Sequence, residues 1–259
     1  MTLYHHSMGA GPDLVMLHGW GLHSGIWSGS ENNLAAQLAQ HYRVTMIDLP
    51  GHGLSNAAGE DFSFETAVDA IAALLPPTTR LLGWSLGGLL ALQLARQLPQ
   101  QITRLVLLAG TARFTRSNDW PAAMPPSSLG DFGAALVEDQ QATVQRFLAL
   151  QVRGSDNERQ QLRLLKQTLA KRPAASRQAL VSGLDMLASV DLRPQLPHIG
   201  QPALLLYGQH DRIAPAASGK LMTQIMPQAH SLTIAGAGHA PFLSHPQQTG
   251  LAIMDFLND

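Results

Sequence analysis

The sequence predicts an α/β protein, a mainly parallel, doubly wound sheet with an inserted helical segment. Three observations lead there. Short continuous apolar runs alternate with stretches of helical period through the first 111 of the 259 residues, as buried parallel strands and their crossover helices do. Over residues 112–190 the alternation stops and only helical patterns follow one another. It then resumes and continues to the end of the chain. With 45% hydrophobic and 14% charged residues, the chain is long enough to bury one large core. The expected organisation is a core of residues 1–111 and 191–259, with residues 112–190 as a helical lid.

In chain order, Leu3 to Ser7 reads as an edge strand and Gly9-Ala10-Gly11-Pro12 as the turn after it. Asp13-Leu14-Val15-Met16-Leu17 has the length and apolarity of a buried strand and runs into the glycine loop His18-Gly19-Trp20-Gly21. A helix is expected from about Ser30 to Gln40. Arg43-Val44-Thr45-Met46-Ile47 is a second buried strand, closed by the Gly- and Pro-rich loop from Asp48 to Ser55. Phe64, Val68, Ile71 and Leu75 recur at helical spacing until Pro76-Pro77 ends them. The strand at Arg104 to Ala109 is the last before the insertion, whose helical stretches lie around 131–151, 156–171 and 174–189. Ala203 to Tyr207 and Ser231 to Ile234 are the later strands, and a final helix follows Pro246.

Chemistry is written at Leu82-Gly83-Trp84-Ser85-Leu86-Gly87-Gly88. Gly-x-Ser-x-Gly between an apolar run and a helix former is the pattern of a nucleophile elbow. Small residues two positions either side let strand and helix pass closely around a strained serine, whose hydroxyl projects from the turn. A serine hydroxyl needs a base, and the base needs an acid to orient it. Asp211, in Gly208-Gln209-His210-Asp211, falls just after one later strand, and His239, in Gly236-Ala237-Gly238-His239, just after the next. Asp185 and Asp191 lie before that first strand; His230 is expected before its strand and His245 at the entry to the last helix. Ser85, Asp211 and His239 are therefore the candidate catalytic residues. The backbone N–H groups of Leu86 and Trp20 are the candidate oxyanion donors, with the Trp20 and Trp84 side chains as apolar walls and His18 ordering the loop.

Residues 146–177 hold eight basic and two acidic side chains. Arg159, Arg163 and Lys166 share one face of a helix by spacing, a solvated face or a docking surface for an acidic or phosphate-bearing partner. The net charge of −1 offers no overall attraction for nucleic acid or a membrane surface. No apolar run reaches the ~20 residues of a membrane span. The opening residues lack the basic start and apolar core of a secretion signal, and a cytoplasmic monomer is expected. There is no cysteine among the residues, and the eleven histidines show no metal-ligand spacing, so no metal is expected.

These residues resemble the α/β-hydrolase superfamily along essentially the whole chain. More narrowly, His18 to Gly21, Asp48 to Ser55, Leu82 to Gly88, Arg146-Phe147-Leu148-Ala149-Leu150-Gln151 and His239-Ala240-Pro241-Phe242 are similar to the methyl ester carboxylesterases of biotin synthesis. The Trp84-Ser85 pair and the Arg146 to Gln151 run discriminate; the other motifs are widely shared. The resemblance implies cofactor-free hydrolysis of a methyl ester on a pimeloyl chain carried by acyl carrier protein. It implies that Arg146, Arg159, Arg163 and Lys166 contact the acidic carrier and its prosthetic group, and that Phe147 and Trp84 line the acyl tunnel. Ala142 stands where the family leads one to expect another basic residue, and the 208–212 loop diverges although its acid is kept. The residues also leave open a hydrolase of small esters, lactones or carbon–carbon bonds, or a ligand-binding module with a vestigial triad.

Overall fold

The computed structural model describes residues 2–29, 33–56 and 63–259. Among the described residues, seven strands form one sheet in the order β1-β3-β2-β4-β5-β6-β7. They are β1 (His5–Met8), β2 (Asp13–Leu17), β3 (Arg43–Ile47), β4 (Thr79–Trp84), β5 (Ile102–Leu108), β6 (Ala203–Gly208) and β7 (Ala229–Ile234). Only β1 runs antiparallel, against β3; all other pairs are parallel. The central strands are continuous apolar runs because both faces are covered: every residue of β6, Ala203 to Gly208, is buried. The edge strand β7 is exposed over most of its length.

Among the described residues, ten α-helices connect and cover the strands: α1 (Leu34–Leu38), α2 (Phe64–Ala72), α3 (Leu86–Gln97), α4 (Pro126–Glu138), α5 (Gln140–Val152), α6 (Glu158–Leu169), α7 (Arg177–Ser189), α8 (Ala216–Thr223), α9 (Pro241–Ser244) and α10 (Pro246–Asn258). α1 packs on α10, and α2 on α3. A short 3-10 helix at Ser24–Ser28 follows β2. The chain winds outward from β2 to β3, then returns to β4 on the other side. The order in which strands are added reverses between β2 and β4, the crevice where open α/β sheets bind ligands. Among the described residues no helix is long and apolar enough to cross a membrane.

Several boundaries differ from the sequence reading. The first strand is shifted to His5–Met8. The helix expected from Ser30 starts, among the described residues, at Leu34, with the Asn33 side chain accepting from Ala36 N–H; Ser30 itself lies outside the described residues. The stretch 131–151 is not one helix. Asp139 is extended at φ −145° and its carboxylate accepts from Ala142 N–H, so it ends α4 and caps α5, the preferred role of Asp at a helix start. β7 begins at Ala229, and His230 therefore lies inside the strand, paired with Leu204.

The helices α4 to α7 all fall between β5 and β6. They form a cluster in which α4 packs on α5 and α7, and α5 on α6. The cluster is tied to the core at both sides: α6 packs on the 3-10 helix and on α9, and α7 on α3.

Candidate active site

Ser85 sits where β4 meets α3, with φ 56° and ψ −117°. This is a left-handed conformation that non-glycine residues adopt at a cost of about 1–3 kcal/mol. Surrounding packing enforces it. A Cβ at Gly83 would collide with the Gly87 carbonyl, and one at Gly87 with the carbonyls of Leu17 and His18. Both positions must be glycine for β4, α3 and the end of β2 to approach this closely.

The Ser85 hydroxyl lies 2.8 Å from His239 Nε2. His239 Nδ1 lies 2.8 Å from Asp211 Oδ2 and 3.0 Å from Oδ1. A carboxylate only accepts, so Nδ1 carries the proton and Nε2 presents its lone pair to the serine hydroxyl. Asp211 Oδ1 also accepts from the N–H groups of Ile213 at 2.8 Å and Ala214 at 2.9 Å, which fixes the carboxylate at the end of β6. The three side chains come from the ends of β4, β6 and β7 and meet although 126 and 28 residues separate them in sequence. The main chain of His239 is held from both sides. Its N–H donates to Gln151 O at 2.8 Å, and its carbonyl accepts from the Trp84 indole N–H at 2.9 Å.

The loop after β2 lies directly against the serine, since a Cβ at Gly19 would stand 3.3 Å from Ser85 Cβ. Trp20 is buried; its indole N–H donates to Leu180 O on α7 at 2.8 Å, and its ring meets Phe147 edge-on at 4.7 Å. Gly183 of α7 covers both Trp20 and Leu86: a Cβ there would stand 2.6 Å from Trp20 Cδ1 and 3.4 Å from Leu86 Cδ2. Leu86 is the first residue of α3, so its N–H is one of those a helix start leaves without an intrahelical acceptor.

Trp84 stands beside the serine: a Cβ at Gly19 would lie 3.2 Å from its Cε3 and 3.3 Å from Ser85 Cβ. Side chains alternate along a strand, and that of Trp84 enters a fully buried aromatic cluster, 5.0 Å from the Phe242 ring and 6.2 Å from that of Trp27. It packs against the His239 imidazole, 5.9 Å away, and its indole N–H ties the histidine loop to β4. Phe147 is also fully buried and touches Phe132 at 5.3 Å as well as Trp20.

The basic residues of the insertion separate into distinct places. Arg159, Arg163 and Lys166 are exposed on α6. Lys166 lines a cavity of about 390 Å³ between α5, α6 and α7 that reaches Gly21. Arg146 lies over the Phe132 ring at 5.2 Å and lines a different groove of about 460 Å³, together with Arg153 and Arg212. Arg172 turns inward: its guanidinium bonds both oxygens of the fully buried Asp48 at 2.8–2.9 Å and Ser24 Oγ at 2.9 Å. Its membership of the basic run concealed this, because charge spacing cannot distinguish an arginine facing solvent from one facing a carboxylate 124 residues away.

Two further buried histidines escaped the sequence reading, His23 and His52. His23 Nε2 lies 2.9 Å from Thr168 O at the end of α6, a second tie between the inserted helices and the core. His52 stands 5.4 Å from His18, centroid to centroid. Burial pushes the His18 imidazole down to about 3, with repulsion from His52 adding to it, and burial pushes His52 down to about 4. Both are neutral near pH 7. Among the described residues no group of three or more His, Asp or Glu side chains has the geometry to hold a metal ion.

Fold and relay together define the class: a serine hydrolase built on the α/β-hydrolase fold. Residues 12–246 match the family described as the alpha/beta hydrolase fold. The chain is 44% identical over 250 residues to a pimeloyl-[acyl-carrier protein] methyl ester esterase of Xanthomonas oryzae pv. oryzae, covering 96% of both chains. It is 43% identical over 249 residues to the enzyme of that name from Aeromonas salmonicida, again 96% of both. Among solved structures, an esterase from Exiguobacterium antarcticum superposes with a TM-score of 0.86 at 22% identity, covering 99% of this chain and 96% of the other. The enol-lactonase from Burkholderia xenovorans LB400 does so with 0.87 at 22%, with the same coverage. The chain belongs to the α/β-hydrolase family and, within it, to the family of these methyl ester esterases.

Proposed function

We propose that this protein hydrolyses the methyl ester of a pimeloyl chain carried by acyl carrier protein, through an acyl-enzyme on Ser85. The observation that carries the chemistry is the continuous relay from Ser85 Oγ through His239 to Asp211, at 2.8 Å for each link. The substrate follows from relatives of that name at 40–44% identity over nearly the full length.

As Ser85 Oγ attacks the ester carbonyl carbon, His239 Nε2 takes its proton, and Asp211 stabilises the imidazolium that forms. The carbonyl oxygen becomes an oxyanion held by the N–H groups of Leu86 and Trp20. Collapse breaks the carbon–methoxy bond, and His239 returns its proton to the departing methanol. A water molecule, deprotonated by the same imidazole, then attacks the acyl-serine, and the serine oxygen recovers the proton as the acid leaves. Every proton is moved by His239, so the cycle needs no cofactor.

Residues 112–190 act as the lid. Phe147, Trp84 and Trp20 line the path of the acyl chain, and Trp84 also holds His239. Arg146, Arg159, Arg163 and Lys166 supply positive charge for the acidic carrier, in line with their exposure and the local excess of basic residues. The test compares kcat/KM for methyl pimeloyl-acyl carrier protein and for free monomethyl pimelate, at low and raised salt. A preference for the carrier-bound ester that shrinks with salt is expected. Equal, salt-insensitive rates would leave an esterase of small substrates and return the lid charges to solvent.

A further inference from the structure

The loop carrying Trp20 is gripped by two imidazoles, one on each side. His18 Nδ1 lies 2.8 Å from Gly19 O, while its Nε2 accepts from Leu49 N–H at 2.9 Å. His52 Nδ1 lies 2.9 Å from Pro50 O, while its Nε2 accepts from Gly21 N–H at 3.3 Å. A carbonyl oxygen only accepts, so each ring is protonated at Nδ1 and bare at Nε2. Each neutral ring thus serves as donor on one side and acceptor on the other.

The two peptide units flanking the Trp20 Cα are therefore both tethered. The Gly19 carbonyl and the Trp20 N–H belong to one planar trans unit and point in opposite directions, so the His18 bond to that carbonyl aims the Trp20 N–H the other way. The next unit, Trp20 carbonyl and Gly21 N–H, is held at its N–H by His52. With one unit loose, rotation about the Trp20 Cα could swing the first N–H; with both held, its direction is set. Gly21 takes φ +72°, a left-handed conformation that glycine adopts freely.

We propose that His52 is a positioning residue for the oxyanion hole: by accepting the Gly21 N–H at Nε2 it locks the second peptide of Trp20 and so aims the Trp20 N–H at the developing oxyanion. This rests on the reading of Trp20 and Ser85 given above. Nothing in the local sequence announces it, since His52 lies in a Gly- and Pro-rich loop 31 residues from its donor partner.

The test uses His52→Asn and His52→Gln in the full-length protein, with free monomethyl pimelate as substrate and an aliphatic trifluoromethyl ketone, which forms an anionic adduct on the serine, as inhibitor. The asparagine side chain reaches no further than Nδ1 and loses the bond to Gly21; the glutamine carbonyl reaches the place of Nε2 and keeps it. His52→Asn is expected to lower kcat by about 10–100-fold with KM within about twofold, and to weaken the ketone by the same factor. His52→Gln should recover both to within about threefold of the unaltered protein. Equal kcat in the two variants, or a fall in kcat with unchanged ketone affinity, would overturn the proposal. Should His52→Asn fail to fold, a folded His52→Gln that loses about tenfold in both readouts overturns it instead, and retention of both supports it. Turnover surviving in Ser85→Ala would remove the underlying site reading itself, whatever the His52 variants do.

Discussion

The main-chain N–H of His239 donates to the main-chain carbonyl of Gln151 at 2.8 Å, joining the histidine loop to α5 of the inserted helices. A second bond, from Asp156 N–H to Gly236 O at 2.8 Å, joins the same loop to the segment after α5. The proposed general base is therefore held by the core on its Trp84 side and by the inserted helices on the other. The inserted helices and the Ser85–His239–Asp211 relay are mechanically one unit at this point.

If the relay works as proposed, its members fail unequally. Ser85→Ala should abolish turnover to within roughly 10³–10⁴-fold of the uncatalysed rate, and Asp211→Asn should lower kcat by roughly 10⁴-fold by presenting the wrong histidine tautomer. Steady-state kinetics with free monomethyl pimelate check both. An Asp211→Asn protein within tenfold of the starting kcat would contradict the role assigned to Asp211.

Gly183 leaves no room for a side chain against Trp20, with the Cβ position 2.6 Å from the indole Cδ1. Gly183→Val should therefore push α7 off the Trp20 loop and break the bond to Leu180 O. Overpacking of this kind costs about 1–3 kcal/mol. The expected readouts are a lower midpoint in urea and a fall in kcat/KM. A valine variant equal to the parent in both would show that α7 does not bear on the loop.

Arg172 and Asp48 form a buried ion pair joining the inserted helices to the core, with Asp48 fully buried and the Arg172 side chain 16% exposed. The carboxylate also accepts from Ser24 N–H and Leu54 N–H, and these bonds help to hold its pKa below the usual carboxylate value despite burial. Arg172→Leu leaves that carboxylate without its cation and should cost about 3–5 kcal/mol, read by chemical denaturation at pH 7. Arg163→Leu, an exposed control, should change stability by less than about 0.5 kcal/mol.

Stability should decline on mild acidification. His18 and His52 have folded-state pKa values of about 3 and about 4 against 6.5 for the free side chain, so between pH 6.5 and 4 the unfolded chain binds more protons than the folded one. Their contribution is complete above pH 6.5 and is lost progressively as pH falls through that window. Two such groups give a slope of order 2 kcal/mol per pH unit near pH 5. Denaturant midpoints at pH 7, 6 and 5 measure it, and a flat profile would mean that the two imidazoles are not buried as neutral rings.

Much was legible from the chain alone, and for a local reason. Alternating apolar runs and helical periods are properties of neighbouring residues, so the parallel sheet and the helical insertion could be read directly. Gly83 and Gly87 announce a tight corner at Ser85 because steric demand there acts across two residues, and Asp211 and His239 stand out because each follows a strand. The break at Asp139 was hidden by an apolar periodicity that runs on across the cap. What only the tertiary structure decided is the choice of partner over distance. Arg172 turns from solvent to Asp48, Trp84 meets Trp27 and Phe242, Arg146 and Lys166 line separate cavities, and His52 meets Gly21. Each choice depends on which surfaces the sheet and inserted helices bring together, and on the cost of burying a polar group without a partner. Sequence spacing determined which residues could do chemistry; only packing determined where each of them points.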